Sequence, residues 1–269
     1  MPKTNSFLFI EPVKHYLDYG SLVMRDIVKA ASKPEYTIVE LQGDAANPAA
    51  VDAAIAETDP NFIWGVGHGA PCVYTVECTT LYMSVKSASH SKCDQDRRLD
   101  KASGRVIHLN SCLTGQELGP AIRLHGAKAY MGSTDSFWFY IGSAPNSDRA
   151  SRSVFLAEYQ IEVTLMAGLS VEQAWRDSQA RYDQEIAYWT TGEGRNYVDA
   201  ASVVRALQID KSLSILIGEG GTKVGTPLLP ANWALMGLTG GMTPLIAVGA
   251  VISSDQLDDL WRWLGWAPA

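Results

Sequence analysis

The stretch RVIHLNSCLTG, Arg105–Gly115, decides how the rest of the chain is read. Its apolar run stops at Asn110-Ser111-Cys112, and Gly115 follows. A short apolar block bounded by small polar residues is the pattern of a strand buried on both faces, as in a parallel sheet. A lone thiol at its end is ordinarily a small core hydrophobe. A second block changes the weighing. NFIWGVGHG, residues 61–69, is also strand-like and runs into Gly67-His68-Gly69. Two such blocks as parallel neighbours, with axes ~5 Å apart, bring an imidazole and a thiol out at one edge.

Outward from this pair, strands and helices alternate. FLFIEP (7–12), YTIVELQ (36–42), a segment within 128–139 and LSILIG (213–218) read as further strands. Residues 15–31, 48–57, 119–127, 149–167 and 170–190 read as helices, the last opened by Ser170 and Gln173 in a capping-box pattern. The alternation predicts an α/β fold with a mainly parallel six-stranded sheet and helices on both faces. Two segments break the rhythm, 70–104 and the chain beyond about 224.

The 269 residues are 46% hydrophobic and 19% charged, enough for a sizeable core. A net charge of −7 and the lack of a dense Lys/Arg stripe argue against nucleic-acid binding. Four cysteines are too few for a dense disulfide framework. The start lacks the apolar core of a signal peptide, which predicts a cytoplasmic or assembly-associated protein.

A thiol beside an imidazole can be deprotonated and become a nucleophile. The blocks FIWGVGHG and VIHLNSC, in this order, resemble the caspase–gingipain–legumain clan of cysteine peptidases. LTGQELGPAIRLHGAKAYMGSTDSFWF resembles the helix and strand that follow the nucleophile in gingipain-like members. The resemblance spans roughly residues 5–220. It implies a three-layer caspase-like domain over 1–223, with a hydrophobic appendage over 224–269. It implies a cysteine endopeptidase acting through an acyl-enzyme on a protein or peptide substrate, with His68 and Cys112 as the dyad and no metal or cofactor. Backbone N–H groups of Gly69 and Cys112 suit an oxyanion hole. Members that cleave after basic residues carry an acid two positions before the cysteine, in the specificity pocket. Asn110 stands there instead, and Asp135 is the nearest alternative acid, although a turn cap explains it better. The reading from another class is a catalytically inactive caspase-like scaffold or assembly protein that docks through its tail.

His108, inside its strand, reads as a hydrogen-bonded core histidine. Cys78, His90 and Cys93 match no familiar zinc spacing. Residues 86–101 read as a solvated loop, with Arg97-Arg98 as a self-cleavage site under the peptidase reading. In the tail, the 31 residues 224–254 carry no charge, and Trp261, Trp263 and Trp266 follow. Glycines and Pro244 dilute the apolar run, so docking on a second copy or an assembly partner through 231–266 is favoured over a membrane anchor.

Overall fold

Val66 and Asn110 end two neighbouring parallel strands as register partners, and the Gly67 N–H donates to the Asn110 carbonyl at 3.3 Å. The structure, a computed structural model, describes residues 3–13, 17–76, 80–90, 93–141 and 148–225. Met1–Pro227 is one compact unit, and the tail from 226 onward lies outside the described residues.

In chain order the strands are β1 (Lys3–Glu11), β2 (Thr37–Gln42), β3 (Pro60–Val66), β4 (Gly69–Ala70), β5 (Val73–Val76), β6 (Thr80–Ser84), β7 (Val106–Asn110), β8 (Ala129–Ser133) and β9 (Ser214–Gly218). The helices are α1 (Leu17–Ala31), α2 (Pro48–Thr58), α3 (Leu118–Leu124), α4 (Arg149–Glu158), α5 (Gln160–Met166), α6 (Val171–Thr190) and α7 (Ala200–Leu213). Six strands form one sheet in the order β2-β1-β3-β7-β8-β9. The first five are parallel, and β9 runs antiparallel to β8 at the edge. β4, β5 and β6 form a separate antiparallel sheet inside the segment that broke the rhythm.

The strand period of two sorts the core onto two faces. Leu8, Ile10, Ile63, Ile107, Leu109 and Tyr130 face one way, against Val51 and Ile55 of α2 and Leu118 and Ile122 of α3. Phe7, Phe9, Phe62 and Trp64 stack as an aromatic row on the other face, where Tyr159 meets Trp64 edge-on. Each such fully buried ring contributes roughly 1.5–3 kcal/mol over an exposed one. A third cluster joins α4, α6 and α7 through Val154, Tyr182, Trp189, Val203 and Leu207.

Local signals set the helix starts. The Asn47 side chain accepts the Ala50 N–H with Pro48 at the first helical position, and Ser170 accepts the Gln173 N–H. The helix expected over 149–167 is interrupted at Tyr159, where ψ is 3°. No glycine or proline marks this break; Tyr159 is fully buried there against Trp64 and Phe155. Helix α7 and the small sheet were not foreseen.

The break sits beside a buried polar cluster. His108 Nδ1 lies 2.5 Å from Glu162 Oε1, and its Nε2 lies 3.0 Å from Glu158 Oε1. The Tyr182 hydroxyl donates to Glu158 Oε2 at 2.9 Å. Burial works against a charge on His108, but the two carboxylates outweigh it and hold the imidazole up at about 10. His108 is thus the bonded core histidine its position suggested.

Candidate functional site

Beyond Val66 and Asn110 each chain continues by two residues, to His68 and to Cys112. Both side chains line one cavity of about 190 Å³ at the carboxyl edge of the sheet. This edge is where open α/β sheets place their ligands. The cavity is walled by Leu17 and Gly20 of α1, Val66, and Phe137, Phe139 and Phe155; Asn110 and Ser111 complete it.

Phe137 and Phe139 belong to an aromatic segment that leaves β8 in an extended course. Its attachments are specific. The Leu113 N–H donates to the Asp135 carbonyl, the Phe137 N–H to Cys112 Sγ at 3.3 Å, and the Trp138 N–H to Asp210 Oδ1 at 2.8 Å. Alternation then turns Phe137 and Phe139 toward the cavity and leaves Trp138 half in solvent.

Cys112 is a free, half-buried thiol. Burial pushes its pKa up; the Phe137 N–H acts against this, and the Asp210 and Asp135 carboxylates reinforce it. The thiol therefore stays protonated at neutral pH. His68 is exposed, and its ring makes no hydrogen bond with Cys112 or with any carboxylate among the described residues. A nucleophilic dyad needs a lowered thiol pKa or a base in contact, with a third group orienting that base. Among the described residues none of these is present.

The peptidase expectation is corrected on these grounds. Cys72 and Cys93 are joined in a disulfide, and among the described residues no group of three or more His, Cys, Asp or Glu side chains is arranged to hold a metal ion. The strands do bring His68 and Cys112 to one cavity, but not into a working pair. The acyl-enzyme and the oxyanion role of Gly69 and Cys112 fall with it. Gly69 has another reason to be glycine: a Cβ there would lie 2.3 Å from Ser111 Oγ and 2.4 Å from the Cys112 carbonyl oxygen.

Autoprocessing at Arg97-Arg98 falls as well. Arg97 exchanges both backbone hydrogen bonds with Ser84. Arg98 pairs with Asp52 at 2.9 Å and lies over the Tyr82 ring. The disulfide ties the neighbouring loop to the turn before β5. Cys93 is thereby committed, and Cys78 lies outside the described residues.

Asn110 lines the cavity and Asp135 does not. Asp135 Oδ1 accepts the Ser136 N–H at 2.7 Å. Sequence reasoning missed Asp210. It sits on α7, almost fully buried, and burial raises its pKa well above the ordinary carboxylate value. It also missed two orphans in the cavity lining. Asn110 Nδ2 and Ser111 Oγ are buried and have no hydrogen-bond partner among the described residues. An unpaired buried polar group costs about 1–3 kcal/mol. No family model and no curated protein matches this chain.

Proposed function

We propose that the chain is a catalytically inactive scaffold or assembly protein with caspase-like architecture. The strand order, five parallel strands with an antiparallel edge, supports the architectural reading. The state of Cys112 carries the functional one: a thiol pushed up in pKa, with no base in contact among the described residues, at the edge where a peptidase would hold a thiolate. The fold is kept and the chemistry is not. The partner is a protein, and the docking element is the tail over 231–266. Its support is the uncharged run 224–254, an apolar stretch that calls for a surface to bury against. No helix among the described residues is long and apolar enough to cross a membrane.

Sedimentation of the full chain against the chain truncated after Pro230 tests this. The truncated form should be folded and monomeric, and self-association or partner capture should require the tail. A truncated chain that unfolds, beside a full chain that is monomeric without detergent, overturns it.

A further inference from the structure

We propose that residues 134–141 form a proton-controlled strap over the cavity at the carboxyl edge of the sheet, closed while the Asp210 carboxyl beneath it is neutral and released when that carboxyl ionises. The inference goes beyond the scaffold reading and does not depend on it, because it concerns what opens the cavity and not what enters it.

The strap has a fixed end and a clipped span. Pairing of β8 with β9 ends at Ser133, opposite Ser214. Thr134 is then anchored to the end of α7, where its N–H and its Oγ1 both donate to the Leu213 carbonyl, at 3.0 and 3.2 Å. The next amides go to side chains and not to a neighbouring strand. The Ser136 N–H meets Asp135 Oδ1, the Phe137 N–H meets Cys112 Sγ at 3.3 Å, and the Trp138 N–H meets Asp210 Oδ1 at 2.8 Å. Two consecutive amides thus clip the strap between a thiol beyond β7 and a carboxyl on α7. What the clips hold is the cavity wall. Phe137 and Phe139 line the space of about 190 Å³ and rest on Phe155, at 5.8 and 5.1 Å between centroids.

Asp210 is the clip that a proton controls. The residue is 2% exposed, and its Oδ2 is buried with no hydrogen-bond partner among the described residues. The cations of the helices packed on α7 are engaged elsewhere. On α4, Arg149 pairs with Glu185 and Arg152 with Asp26; on α6, Arg181 pairs with Glu185; Lys211 of α7 itself reaches Asp183. The groups that face Asp210 are Glu158 of α4, Tyr182 of α6 and Cys112. The His108 cation is bonded to Glu158 and Glu162. A charge on Asp210 is therefore buried, unpaired and beside a like charge. Water relieves it, and the layer over Oδ1 is thin: Trp138, whose N–H meets that oxygen, is itself half in solvent. Burial raises the closed-state value above the ordinary carboxylate one, so the closed form holds the proton more tightly than the open form. Closure is complete below the ordinary carboxylate value and weakens as pH rises toward the raised one, the proton passing to water.

Amide hydrogen exchange of the full chain tests this, read residue by residue and corrected for the intrinsic chemical rate, from about pH 5 to about pH 8. Protection of the Phe137 and Trp138 amides should fall as pH rises, by up to about tenfold per pH unit, the slope of one released proton. The amides of β3 and β7 should keep theirs, which separates strap opening from global unfolding. Asp210→Asn keeps an acceptor for the Trp138 N–H and removes the titrating group, so its strap should stay protected across the range. Asp210→Ala should leave the Trp138 amide less protected at every pH. A flat wild-type profile overturns the inference, and so does an equal fall in β3 and β7. A slope that survives in Asp210→Asn also overturns it, since the control would then lie with another group such as His68, Asp135 or Cys112. The wild-type series decides by itself if a variant does not fold: a local fall supports the strap and a flat profile removes it.

Discussion

His108 Nδ1 lies 2.5 Å from Glu162 Oε1, and both side chains are fully shielded from solvent. The pair fixes β7, the strand that leads into Asn110 and Cys112, against α5. Glu158, at 3.0 Å from the other ring nitrogen, fixes the same strand against α4.

The ordinary histidine value is 6.5, and His108 is held up at about 10. A raised folded value means that the protonated form is preferred in the folded state. Its stabilising share is complete below about pH 6.5 and fades as pH rises through about 10. Thermal midpoints of wild type should therefore fall from pH 7 to pH 10 by more than those of His108→Gln. At pH 7 the variant should be about 3–5 kcal/mol less stable, because two buried carboxylates lose their cation. Parallel pH profiles for the two proteins would contradict this.

Gly65 packs against the Tyr74 hydroxyl. A Cβ at this position would come within 2.2 Å of that oxygen and 2.9 Å of the ring. Tyr74 is fully buried, so the ring has nowhere to go. Gly65→Ala should cost about 1–3 kcal/mol by overpacking, read from urea midpoints. Gly65→Ala combined with Tyr74→Phe should recover part of the loss, since the hydroxyl is the nearest obstacle.

The disulfide joins Cys72 to Cys93 across a sequence separation of 21. Closing a loop of that size removes denatured-state freedom worth about 3 kcal/mol. Chemical denaturation with and without a dithiol reductant should differ by about that amount, and the Cys72→Ser, Cys93→Ser double variant should match the reduced wild type.

Cys112 should alkylate more slowly than free cysteine at pH 7 and accelerate on the alkaline side of the ordinary thiol value. Burial and two nearby carboxylates act in that direction. Mass spectrometry of iodoacetamide-treated protein gives the rate. Labelling at pH 7 faster than free cysteine would mean a thiolate is present.

The sheet was legible because its strands are short apolar blocks with polar or glycine ends, and β3 and β7 pair just as their endings suggested. The direction of β9 was not. LSILIG has no feature that separates an antiparallel edge from a parallel one, and the preceding α7 hid its own period by burying Asp210 among its apolar positions. The break at Tyr159 carries no glycine or proline. The chemistry was least legible of all. His68 and Cys112 announced themselves locally, whereas the upward shift of the thiol comes first from its burial, which only the fold creates.

The disulfide ring also makes the chain's connectivity unequal along one stretch. Lys86 lies inside the ring, while Arg97 and Arg98 lie outside it. A trypsin cut after Lys86 leaves the two polypeptides covalently attached, and they part on a denaturing gel only after reduction. A cut after Arg97 or Arg98 is bridged by nothing covalent, and the pieces part with or without reductant. Paired reduced and non-reduced lanes therefore report which side of Cys93 was opened.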